Sequence, residues 1–271
     1  MTTTTVTTLD GSITTADSGW PVLSYDDQVT PGTMVLWDPS LAAQWPTGAI
    51  GGAVAAGSIW KNLGENFPDG VQDAGATLPV YDVTGMRVSN ASSSIEYPAG
   101  QFDLAALGWP NFHATLWGKT PAAPIASLSQ LIAGFGPLTD TMTWGFIAAY
   151  GSGDPTLGVI PTISGSQSSQ PVILNLNSFF AMSMTCVDAG GGQRRLRTYV
   201  NNVLAKDATV TPGVAAQPTE RLKIGKGTTV YSPFTGGLIS RLIAENCTVS
   251  GRDPEAARAA EWTAKHAAHG L

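Results

Sequence analysis

Residues 182–207 read MSMTCVDAGGGQRRLRTYVNNVLAKD. Met182, Met184 and Cys186 alternate with Ser183, Thr185 and Val187, the two-residue period of a strand, which places one soft apolar row on a single face. That face belongs to a core. Gly190 to Gly192 follow Asp188 and permit the positive φ angles that a tight connection between twisted strands requires. The chain returns as a second strand, with Leu196, Thr198 and Val200 on one side and Arg195, Arg197 and Tyr199 on the other. Asn201-Asn202 is a further corner, because asparagine tolerates the left-handed conformation, and it leads to Val203 and Leu204.

Outward from this hairpin the chain is a series of short β-type runs separated by glycine, proline and serine. Strands are expected over Thr33 to Trp37, Leu78 to Val83, Phe112 to Trp117, Thr141 to Tyr150, Pro171 to Leu176, Phe179 to Val187, Arg221 to Gly225 and Gly237 to Glu245. Phe234-Thr-Gly-Gly237 is the bend before the last of these. The period changes only at the end. Asp253 can accept an orphan helix N–H, Pro254 fits the first turn and Glu255 complements the positive end. An alanine-rich helix over about 254–269 is expected, closed by Gly270, with Trp262 as its anchor. Residues 1–30 read as an N-terminal arm with the first strands, and 31–271 as one β-sandwich.

Composition removes several classes. Charged residues are 13% against 43% hydrophobic, too apolar for a disordered polymer. No run approaches the roughly 20 apolar residues of a membrane span. The start, MTTTTVTTLDG, lacks a basic n-region and an apolar h-region, so synthesis in a cytoplasm without a signal peptide is expected. Up to Asp140 there are three basic and twelve acidic residues, a net −9, and the remainder has eleven and eight, a net +3. A sequence pI near 4.9 argues against nucleic acid, whose binders usually exceed about 9. Arg194, Arg195 and Arg197 beside the glycine turn read as a solvated hairpin. Cys186 and Cys247 fall on strand-like segments and, without export, read as two buried thiols.

Chemistry-bearing patterns are sparse. The three histidines, His113, His266 and His269, have no zinc spacing with cysteine. His266 and His269 read as last-turn cations at a helix end, and His113 as a hydrogen-bonded strand histidine. There is no GxSxG, Walker loop or HExxH. Asp26-Asp27 would face opposite ways on a strand. No catalytic residue and no metal ligand is expected.

The segments MSMTCVDAGGGQRRLRTYVNNVLAKD, ERLKIGKG and FTGGLISRLIAENCTVSGRDPEAARAAEW together resemble the second half of concanavalin A-like jelly rolls, in particular laminin-G and pentraxin-like members. Those carry a strand, a glycine turn and a YVNG-type hairpin before an IG strand and an F-x-G-x-I strand; here Asn202 replaces the last glycine of that hairpin. LWDPS at 36–40 and IWKNL at 59–63 are similar to opening strands of such domains in phage virion proteins. The resemblance implies an all-β, antiparallel two-sheet jelly-roll sandwich with a short C-terminal α-helix. It admits glycan binding, calcium binding, polysaccharide hydrolysis or a structural role. The E-x-D-x-x-E run of its glucanases is missing, and retaining hydrolysis needs two carboxylates about 5–5.5 Å apart. Asp154 and Asp188 are isolated, and a calcium cage needs several oxygens, so no cofactor is expected; calcium is allowed by the resemblance but unsupported by these residues.

Trp20, Trp45 and Trp109 each precede a proline in a loop-like context. Such a ring either plugs the end of the sandwich or stacks on a sugar beside a few polar groups; Trp45 and Trp109 are the candidate binding residues. The threonine-rich start, Thr2 to Thr8, suits an assembly arm. The leading expectation is a non-enzymatic external virion module: a capsid decoration, tail or fibre protein. Its partners would be further copies or other virion proteins, with a cell-surface glycan as an additional one. The alternatives are a stand-alone lectin-like module and, third, a glycoside hydrolase.

Overall fold

The structure is a computed structural model that describes residues 8–9, 12–13, 23–24, 26–41, 44, 52–64, 66–73, 80–82, 84–88, 95–123, 129–136, 142–150, 156–163, 166–167, 172–225 and 231–271. One sheet runs in the order Val203–Val210, Gln193–Val200, Phe179–Gly190, Phe112–Lys119, Leu238–Asn246, Gly85–Arg87 and Val80–Asp82, with Thr33–Trp37 also on the Leu238 strand. The other runs Ser166–Gln167, Thr156–Ile163, Trp144–Tyr150, Ser129–Phe135, Leu222–Ile224, Ile95–Glu96, Gly70–Gln72 and Ile59–Trp60. Val172–Asn175 pairs with its Thr156 strand, and Ser232–Pro233 lies parallel to its Ser129 strand. A small separate sheet joins Thr8–Leu9, Ser12–Ile13 and Leu23–Ser24. The fold is thus an all-β, antiparallel two-sheet jelly-roll sandwich with a short terminal helix, as the sequence implies.

Alternation builds the core. Phe112, Ala114 and Leu116 lie opposite Cys186, Met184 and Met182 on one neighbour and reach Asn246, Ala244 and Leu242 on the other. Apart from Asn246, all join one buried cluster with Phe135, Trp144, Phe146 and Val159 of the facing sheet, so the two sheets close on each other. The glycine hairpin forms as expected, with Gly190, Gly191 and Gly192 at φ +81°, +61° and +77° and the next corner at Asn201 and Asn202, φ +47° and +64°. Cys186 and Cys247 are free and buried. Cys247, however, opens a one-turn helix, Cys247–Ser250, rather than ending a strand. Asn246 caps that helix by accepting from Thr248 N and Val249 N, which stops the strand there.

The opposite face of the first sheet is polar, although it is buried. Trp117 lies opposite Arg241, and His113 opposite Glu245; all four are 1% exposed or less. The terminal helix, Pro254–Lys265, lies over this row, capped by Asp253, which accepts from Ala256 N. A turn at His266 and a 3-10 turn over Ala267–His269 complete the expected span. Arg241 uses all five of its N–H donors. Nε and Nη2 donate to Glu261 at 2.7 and 3.0 Å. Nη1 and Nη2 donate to Asp26 at 2.8 and 3.2 Å, and Nη1 to Asp38 at 2.9 Å. Burial opposes the Arg241 charge, but Glu261, Asp26 and Asp38 outweigh it and hold the guanidinium above its usual range. Burial likewise pushes the Asp26 carboxyl up, and Arg241 with Lys265 brings it below the usual carboxylate range.

Trp262 does help to hold the helix, stacking on Trp117 at 5.5 Å between centroids, but the helix side chains wholly out of water are Pro254, Ala257 and Glu261. The main anchor is therefore an acid, not the tryptophan. The expectation for His269 also changes. His266 and His269 engage the Trp262 and Lys265 carbonyls through Nδ1 at 2.9 Å, and their rings stack on Trp262 and Trp117. Burial lowers the His269 pKa, so it packs as a neutral ring rather than serving as a helix-end cation. The arginine hairpin is not simply solvated either. Arg195 and Arg197 share Asp207 at 2.6 and 3.1 Å, and Arg197 also meets Glu255 at 3.2 Å.

His113 is hydrogen-bonded on its strand as expected. Its Nε2 is 2.8 Å from Thr115 Oγ1, and that hydroxyl donates to Ser183 at 2.9 Å. Nε2 must therefore carry the ring proton, which leaves Nδ1 buried without a partner among the described residues. Burial, with Arg252 and Arg258 adding to it, drives the His113 pKa down to about 3.

Two outcomes follow for stability. Truncating Glu261 to Ala leaves two buried Arg241 N–H groups without an acceptor and lowers unfolding free energy by about 3–5 kcal/mol, whereas Asp27→Ala, on the exposed neighbour of Asp26, stays within about 0.5 kcal/mol; urea midpoints compare them. His113 is neutral when folded and titrates near 6.5 when unfolded, so its contribution is complete above that pH and is lost as pH falls toward about 3. Between pH 7 and 4.5 this removes about 2–3 kcal/mol, and His113→Gln flattens that part of the stability–pH curve measured by thermal melts.

Candidate functional site

The hairpin ends of the Phe179 and Gln193 strands pass from buried to exposed positions, and a cleft of about 340 Å³ opens there beside the start of the Phe112 strand. It is lined by Leu107, Trp109, Pro110, Asn111, Asp188, Arg194, Asn246 and Thr248. The size is at the low end of the roughly 300–1,000 Å³ typical of small-molecule sites. Asp188 lies directly opposite Arg194 in the hairpin, two residues beyond the buried Cys186–Leu196 pair on the same face. Core-facing positions thus become charged where the facing sheet no longer covers them.

Trp109 forms one wall. The turn that precedes it is held by bonds from Leu107 N to the Asp103 carbonyl, from Gly108 N to Ala105 and from Trp109 N to Leu104, at 3.1, 3.1 and 2.7 Å. The result is a tryptophan at φ +55°, a left-handed conformation that costs a bulky residue about 1–3 kcal/mol. Its ring is half-buried against the main core cluster. The plug reading and the cleft reading thus meet in one side chain: Trp109 closes the core on one side and lines the cleft on the other.

Asn111 is the floor. Its side chain accepts from Asp188 N at 2.8 Å, its own N–H donates to Thr248 Oγ1 at 2.9 Å, and its carbonyl accepts from Cys247 N at 2.7 Å. Three elements, the Trp109 turn, the hairpin and the one-turn helix, are therefore tied at one residue. Asp188 Oδ1 accepts from Gly190 N at 3.0 Å and lies 3.2 Å from Arg194 Nη1. The Arg194 side chain is 18% exposed and that of Asp188 58%. An aromatic wall, an ion pair and side-chain amide and hydroxyl groups thus share one small concavity, which suits a polar ligand with an apolar face.

Of the sequence candidates, Trp109 lies in this cleft, whereas Trp45, like Trp20, falls outside the described residues. Asn111, Asp188, Arg194 and Thr248 were not singled out as binding residues. Asp26 and Asp27 do diverge, one buried and one exposed, in a turn rather than on a strand. Among the described residues no group of three or more His, Cys, Asp and Glu is arranged to hold a metal, and no helix is long and apolar enough to cross a membrane. Burial pushes the Cys186 thiol up to about 12, which removes it as a nucleophile.

No protein-family model matches the sequence, and no curated protein matches it. Solved structures do. A Trypanosoma rangeli sialidase in complex with sialic acid is similar over 82% of this chain and 32% of its own, at 14% identity and a TM-score of 0.51. The same enzyme's covalent intermediate with 2,3-difluorosialic acid aligns over 80% and 31%, at 14% identity and a TM-score of 0.50. Domain 4 of an extracellular arabinanase from Geobacillus stearothermophilus, in complex with arabinotriose, aligns over 81% and 97%, at 13% identity and a TM-score of 0.48. The chain spans about a third of the sialidase's length. At these identities the likeness is one of fold.

Proposed function

We propose that this chain is a non-enzymatic saccharide-binding module of concanavalin A-like type, and that the cleft between Trp109 and the Asp188–Arg194 pair is its binding site. The observation that carries this reading is the meeting of a strained aromatic wall with a tethered ion pair and an immobilised asparagine in one small concavity. A sugar ring has an apolar face for an indole and hydroxyls for the charged edge. The fold shared with part of a sialidase solved with a sugar ligand supports a saccharide in the broad sense. Neither metal nor cofactor is needed for such binding.

A second reading, a chain that assembles with copies of itself, rests on a different observation. The strand Val203–Val210 is an edge of the first sheet, and it exposes Val203 and Leu204 at 69% and 50%. Exposed apolar edges are templates for pairing with another chain.

Two measurements separate the readings. On an array of neutral and acidic oligosaccharides the labelled chain gives saturable binding to at least one glycan, and Trp109→Ala weakens it at least about tenfold, the equivalent of about 1.4 kcal/mol; a blank array removes the saccharide reading. Light scattering across concentration gives a monomer for a stand-alone module. A closed oligomer that Leu204→Lys dissociates favours assembly.

A further inference from the structure

Resting on the saccharide reading of the Trp109 cleft, we infer that the site selects a neutral saccharide through two adjacent hydroxyls that bridge the Asp188–Arg194 ion pair, and that it rejects uronic and sialic acids. The two charges are already matched. Asp188 Oδ1 takes both the contact from Arg194 Nη1 at 3.2 Å and the Gly190 N–H at 3.0 Å. Among the described residues Asp188 Oδ2 accepts no hydrogen bond, and the remaining Arg194 N–H groups have no acceptor. An acceptor and donors without protein partners among the described residues are thus carried by two adjacent residues that line the cleft.

A hydroxyl is both donor and acceptor, and a vicinal pair can give one proton to Asp188 Oδ2 while taking an N–H from Arg194. The ion pair stays intact. A carboxylated sugar has no such option. To take the remaining Arg194 N–H groups it must sit beside Asp188, which is held by Gly190 N and whose own N–H is tied to Asn111 at 2.8 Å. Two carboxylates would then share one guanidinium, a like-charge juxtaposition that discriminates against the acid. The Trp109 ring lines the same concavity and is available to the C–H face of the ring that carries the hydroxyls.

The test uses the full chain and an array of gluco-, galacto-, manno- and arabino-oligosaccharides printed beside uronic-acid and sialic-acid-terminated counterparts. Titration calorimetry then compares the best neutral probe with its mono-deoxy analogues. The inference expects neutral probes to bind and acidic ones to be at least about tenfold weaker. Removal of either adjacent hydroxyl should weaken binding about ten- to hundredfold, as for a lost hydrogen bond to a charged group. Asp188→Asn should cause a similar loss while leaving the melting temperature within a few degrees of the parent, and Arg194→Lys, which keeps the charge and loses the fork, should lie between. Preference for an acidic probe, or unchanged affinity in Asp188→Asn, overturns the inference and leaves the saccharide reading standing. A blank array with a folded protein overturns both.

Discussion

A guanidinium held wholly out of water governs the outer half of this molecule. Arg241 could not remain charged beneath the terminal helix unless every N–H found an acceptor, because an isolated buried charge costs far more than folding can supply. Its acceptors come from Asp26, Asp38 and Glu261, which lie before, within and after the sheet in sequence. The helix is consequently bound by charge at Glu261, by hydrogen bonds at Glu255, and by ring stacking at Trp262 and His269. Aliphatic packing is the smaller part of its attachment.

That arrangement separates two tasks between the faces of one sheet. The inner face is apolar, tolerant of Met and Cys, and supplies the hydrophobic driving force. The outer face is polar and exacting in geometry, and such a layer acts on the register of the helix more than on net stability. Glu255 shows the point, since it accepts from Thr185, Tyr199, Arg197 and Arg258 at 2.6–3.3 Å. A helix shifted by one residue would forfeit the three bonds from the sheet, those of Thr185, Tyr199 and Arg197, and keep only the one from Arg258 on the helix itself. The cleft depends on the same strands, so the precision with which Asp188 meets Arg194 derives from a register that the helix also enforces.

The first sheet was legible in the sequence because its strands have one dry and one polar face. The row Met182, Met184, Cys186 and its return in Leu196, Thr198, Val200 show the strand period directly. The second sheet was harder to read. In Ser129–Phe135, Leu131 packs in an outer apolar cluster with Ile147 and Tyr231, while Ile132 joins the main core, so alternation disappears. Thr156–Ile163 contains Pro161, which argues against a strand by sequence alone. The role of Arg241 has no local signature, because its partners lie as far as 215 residues away in sequence. Trp109 stood out as a loop aromatic. Asp188 and Arg194 read only as hairpin residues, since their approach to Trp109 exists only in three dimensions.

The Phe179 strand also sets the orientation of the whole molecule. Its Phe179 end meets His269 edge-to-face at 5.9 Å, beside the last residues described, and its other end carries Asp188 in the cleft. Nine residue steps along an extended strand separate these two poles by about 30 Å. The cleft and the Ala267–His269 turn therefore stand at opposite ends of one strand, so a coupling chemistry directed at the side chains of that turn works about 30 Å from the cleft.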